Sequence, residues 1–73
     1  MTVRRDDRAG VRPPPPGREV IYEHRRMGAW LRVAAVDAAT GIEAVATGPA
    51  EAPAMVERLA AAKLERLLAA RRR

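Results

Sequence analysis

The sequence predicts one small α+β domain: a three-stranded antiparallel meander with one C-terminal helix packed on one face, preceded by a disordered N-terminal arm. Three observations carry this reading. Residues 18–36 mix β-branched, aromatic and aliphatic side chains with charges, as half-buried strands do, and Gly28 cuts them into two runs. Asp37-Ala38-Ala39-Thr40-Gly41 is a turn signal followed by a third short apolar run. From Pro53 onward the apolar residues recur with a period near 3.6.

The first strand is expected at 18–27, the second at 30–36 and the third at 42–47, closed by Gly48-Pro49. A two-residue loop joins the first two as a hairpin. A type II′ turn on Gly28-Ala29 places the glycine where φ is positive but sets Arg25 opposite Arg32. A turn on Met27-Gly28 sets Glu23 opposite Arg32 but forces Met27 to positive φ, at about 1 kcal/mol or more. The first register is preferred, because an exposed like-charge pair can splay. Either register puts Val20, Tyr22 and His24 on one side with Leu31, Val33 and Ala35. Asp37 can accept hydrogen bonds from the turn's own amides, and Gly41 can take the left-handed conformation of a bulge. Pairing back across that turn puts Ala44 and Ala46 on the core side. Pro53 suits a first helical turn. Val56, Leu59, Ala60, Leu64 and Leu67 form the expected buried stripe, with Glu57, Arg58, Glu65 and Arg66 mostly off it. Glu51 and Glu57 lie toward the start of the helix and the arginines toward its end, as the macrodipole prefers. The helix is expected to cover Val20, Tyr22, Leu31 and Val33, and the alanines at 44 and 46 to let it approach closely.

Seventy-three residues allow a single domain. A chain of this size buries only roughly 60% of its unfolded surface, which leaves one thin core and no deep catalytic cavity. Residues 1–17 read as an arm: four consecutive prolines, Pro13 to Pro16, favour polyproline II, which needs no core. The domain proper is 18–70, and Arg71 to Arg73 form a basic tail. The formal net charge of +5 is concentrated at the ends. Residues 1–17 hold four arginines against two aspartates, the tail adds three arginines, and residues 18–70 hold seven basic and seven acidic side chains. A domain that tracks a phosphate backbone usually carries its charge on a folded face. The first residues lack the apolar core of a signal peptide, and no uncharged stretch approaches the roughly 18 residues that a membrane-spanning helix needs. With no cysteine, neither a disulfide nor a thiolate metal site is available, which suits a cytoplasmic address.

Chemistry is poorly provided for. The chain has no Ser, Cys, Asn, Gln or Phe, and a single His, Tyr, Trp and Lys. Nucleophilic catalysis would have to use Thr2, Thr40, Thr47 or Lys63 with one histidine. No clustered ligands and no glycine-rich phosphate loop are present, so no catalytic residue, metal site or cofactor is expected. His24 is expected partly buried with one nitrogen satisfied. Lys63 is expected to run its stem along the apolar stripe with the ammonium in water.

The sheet face away from the helix is the expected functional surface. It presents Ile21, Trp30, Ala34, Val36 and Val45, rimmed by Glu19, Glu23, Arg25, Arg32 and Glu43. Trp30, Ile21, Val36, Val45, Arg25 and Arg32 form a candidate interface for a protein partner or a second copy of the chain, since Trp and Arg are enriched in interfaces. An edge strand could also extend a partner's sheet. The alternative is an accessory nucleic-acid binder, in which basic tails supply attraction and Trp30 stacks a base beside Arg25 and Arg32. Such sheets usually carry several stacking aromatics and amide side chains that read base edges, and here there is one aromatic and no amide.

The runs Arg18-Glu19-Val20-Ile21-Tyr22-Glu23, Arg26-Met27-Gly28, Val33-Ala34-Ala35-Val36-Asp37-Ala38-Ala39-Thr40-Gly41-Ile42-Glu43, Gly48-Pro49-Ala50 and Leu59-Ala60-Ala61-Ala62-Lys63-Leu64-Glu65 resemble a group of short proteobacterial β-β-β-α proteins, a domain of unknown function. The resemblance spans about residues 18–68. Ala29 stands where the group has a polar turn residue, and Ala44 and Ala46 where it has larger aliphatics. The resemblance implies a stand-alone bacterial cytosolic protein and transfers no functional residue.

Overall fold

A computed structural model describes residues 18–71. The expected arm at 1–17 and the last two arginines lie outside the described residues. Strands β1 (Val20–Met27), β2 (Trp30–Asp37) and β3 (Glu43–Pro49) precede helix α1 (Pro53–Arg71). The sheet is antiparallel in the order β1-β2-β3, with α1 laid on one face, as the sequence predicts. Arg71, assigned from sequence to the tail, belongs to the helix.

The first hairpin takes the Gly28-Ala29 register: Met27 lies opposite Trp30, and Arg25 opposite Arg32. Gly28 has φ +63°, and no described non-glycine residue has positive φ. Backbone geometry therefore decides the register over the like-charge pair. In the second hairpin, the Asp37 N–H donates to Ile42 O (2.8 Å) and the Gly41 N–H to Asp37 O (2.7 Å), with Gly41 at φ +79°. The buried Asp37 carboxylate accepts from Thr40 N (3.2 Å) and Thr40 Oγ1 (2.7 Å), so its burial is compensated.

β3 runs two residues further than expected, through Gly48 and Pro49. Hydrogen-bonded pairs alternate along an antiparallel ladder. The bonds Asp37 N to Ile42 O and Ala50 N to Ala29 O therefore turn the even-numbered residues of β3 toward β2 and the odd-numbered ones outward. Pro49, which has no N–H to donate, faces out, where an edge strand tolerates it.

The core consists of Leu31, Val33, Ala35 and Ala44 from the sheet against Val56, Ala60, Leu64 and Leu68 from the helix. The buried helical residues follow an i, i+4 ridge. Leu59 and Leu67, expected on the stripe, are exposed (50% and 42%), and Leu68 and Glu57 are buried instead. The cause lies in β3, whose helix-facing positions are Ala44, Ala46 and Gly48. They let α1 settle over β3 and β2, so the contacting ridge is displaced around the helix. Val20 and Tyr22, expected beneath the helix, are only half-buried. Ala46 is also half-buried, at the margin of the core.

Gly48 is where the two layers come closest. A Cβ built there would lie 2.8 Å from Val56 Cγ2. Val56 is β-branched and helical, so its rotamer cannot swing clear. Gly48→Ala should destabilise the domain by about 1–3 kcal/mol in urea unfolding. Unchanged stability would show that the layers are not in contact at this point.

Candidate functional site

The register arranges the uncovered sheet face in four rows. From the first hairpin outward they are Met27, Trp30 and Pro49; Arg25, Arg32 and Thr47; Glu23, Ala34 and Val45; and Ile21, Val36 and Glu43. An apolar row is thus followed by a cationic row, a mixed row and a second, more apolar row. Trp30 is the most exposed large apolar side chain on this face (56%), and Met27 beside it is 44% exposed. Val36 and Val45 are half-buried, and Ile21 is exposed. Ala34, expected to show on this face, is only 2% exposed, because its single methyl lies in the middle strand among longer side chains. The six candidate residues Trp30, Ile21, Val36, Val45, Arg25 and Arg32 do share one face. Met27, next to the turn glycine, belongs with them.

The opposite side of β1 is held to the helix by polar pairs. His24 Nε2 lies 2.5 Å from Glu57 Oε2. Arg18 donates to Glu65, and its Nε lies 4.0 Å from Asp37 Oδ1. The expectation for His24 holds for its bonded nitrogen, but the residue is exposed rather than partly buried; Glu57, expected mostly off the stripe, is the buried partner. Tyr22 lies on the same face of β1 between Arg18 and His24. Its partial burial, and then the nearby Glu57 and Glu65 carboxylates, push its phenol above the ordinary value near 10. Helical periodicity alone could not find Glu57, since the rotation of the helix depends on how small the facing strand is.

Lys63 reaches across to the β3 edge, where Nζ donates to Val45 O at 2.9 Å. Its ammonium is exposed as expected, but it has a backbone partner. Met55, Leu59 and Leu67 of α1 are all exposed. Among the described residues, no group of three or more His, Cys, Asp and Glu could hold a metal ion. No described helix is long and apolar enough to cross a membrane.

The fold and these surfaces define a small two-layer α+β domain with one sheet face that no other described element covers. Residues 17–72 match the family described as Domain of unknown function (DUF6898), and the chain belongs to that family. No curated protein and no solved structure matches it.

The position of Tyr22 has a pH consequence. A phenol pKa raised by folding means that the neutral form is favoured in the folded state. That stability is fully present below about pH 10 and is lost as the pH rises through the higher folded value. Stability measured from pH 8 to 11 should therefore fall more steeply for the native chain than for Tyr22→Phe. Parallel curves would place Tyr22 in water.

Proposed function

We propose that the domain is a protein-interaction module that docks its uncovered sheet face on a partner protein, with Trp30 as the anchor. The supporting observation is the row Met27, Trp30 and Pro49, which holds two large exposed apolar side chains beside the paired cations Arg25 and Arg32. A central aromatic next to arginines is the composition that concentrates binding energy in interfaces. On this reading the chain binds and does not catalyse, and it uses no cofactor. We place it in the bacterial cytoplasm, on the cysteine-free sequence and the resemblance noted above.

The adjacency of Trp30 to the Arg25–Arg32 pair also supports a second reading, a stacking and phosphate-binding patch for single-stranded nucleic acid. The two readings separate experimentally. A photo-crosslinking amino acid placed at Arg32 in the native host should capture a protein, and one at the exposed helical position Arg58 should not. Trp30→Ala should lower affinity for that protein by about thirtyfold, roughly 2 kcal/mol, while changing folding stability by no more than about 0.5 kcal/mol. Equal capture from Arg58 would contradict the proposal. So would binding of single-stranded RNA at physiological salt that Trp30→Ala abolishes, which would assign the face to nucleic acid.

A further inference from the structure

The two edges of the sheet differ. On β3 the outward-facing residues are Glu43, Val45, Thr47 and Pro49, and the edge is blunted twice: Pro49 has no N–H, and Val45 O is taken by Lys63 Nζ. On β1 the bond from Ala38 N to Glu19 O fixes the odd-numbered residues toward β2. The N–H and C=O groups of Val20, Tyr22, His24 and Arg26 therefore face outward. Among the described residues none of these groups has a hydrogen-bond partner, no proline interrupts them, and the helix lies away from them over β2 and β3.

We propose that β1 pairs antiparallel with β1 of a second copy of this chain, with His24 opposite His24 on the two-fold axis, making one continuous six-stranded sheet. The strand's own charge pattern selects this register. Outward-facing residues must meet outward-facing residues, which leaves few alignments. Centring on Glu23 sets Glu23 against Glu23 and Val20 against Arg26. Centring on Tyr22 sets Ile21 against Glu23. Centring on His24 sets Glu23 against Arg25, Ile21 against Met27 and Tyr22 against Arg26, each twice by symmetry. These are an ion pair, an apolar pair and a cation–π pair, the contacts that stabilise neighbouring strands. Each His24 already has a hydrogen-bond partner in Glu57 of its own chain, so neither imidazole depends on the other where the two meet. The inference concerns the edge of the sheet and does not depend on what its uncovered face binds.

The test is the mass of the full chain by sedimentation across a concentration series, with circular dichroism confirming that each variant is folded. The native chain should be a dimer that dissociates on dilution. Glu23→Arg alone and Arg25→Glu alone each set like charges against each other twice, and each should raise the dissociation constant by about tenfold or more. The double variant Glu23→Arg/Arg25→Glu restores both pairs and should return to near the native value. Neither change strains the monomer, since Glu23 faces Ala34 and Arg25 faces Arg32 within the sheet. Trp30→Ala should leave the dimer intact. A monomer at all concentrations would overturn the proposal, as would a dimer indifferent to the single reversals or one not restored by the double variant. A dimer dissociated by Trp30→Ala would place self-association on the face instead.

Discussion

The close seating of α1 on the smallest side chains of β3 is the constraint on which the rest of the structure depends. Ala44 and Gly48 offer almost no volume, and Gly48 meets Val56 with no room for a methyl group. The helix therefore comes down over β3 and β2 rather than over β1. Its ridge of Val56, Ala60, Leu64 and Leu68 fills the gap that larger side chains on β3 would otherwise occupy. The small residues of β3 put little bulk between the layers. They move the partner layer closer, in keeping with the cost of empty volume in protein interiors.

This displacement leaves β1 only partly covered: Val20 and Tyr22 pack at the margin of the core, and polar pairs to the helix add to the ladder with β2. His24 and Glu57 pin the hairpin end, Arg18 and Glu65 pin the other, and Tyr22 lies half-buried between them. Polar pairs this close to water contribute little individually. β1 is accordingly the strand that stands to gain most from further burial. The same offset brings Lys63 over the β3 edge, where it occupies a carbonyl that another strand would need. One packing choice thus closes one edge and, among the described residues, leaves the other without a hydrogen-bond partner.

The order of elements, the preference for the Gly28-Ala29 register and most of the face away from the helix were legible in the sequence, because each rests on a local rule. Gly28 must supply positive φ, Asp37-to-Gly41 must turn, and alternation separates Val20, Tyr22 and His24 from Ile21, Glu23 and Arg25. The rotation of the helix was not legible. Leu59 and Leu68 are equally apolar, and the choice between them depends on the distance between layers, which is a tertiary property. The exclusion of Ala34 from the surface was missed for a similar reason, since its cover comes from neighbouring strands. The self-complementarity of β1 about His24 was present in Ile21-Tyr22-Glu23-His24-Arg25-Arg26-Met27 all along. It acquires meaning only once the hydrogen bonds to β2 show which backbone groups face outward.

The position of the helix is the central claim, and nuclear Overhauser contacts in the folded protein test it most directly. The account predicts contacts from the Val56 methyls to the Gly48 α-protons, and none from Leu59 or Leu67 to any residue of β1. Contacts from Leu59 or Leu67 to Tyr22 or His24, with none between Val56 and Gly48, would place the helix over β1. That result would contradict the offset and, with it, the open edge.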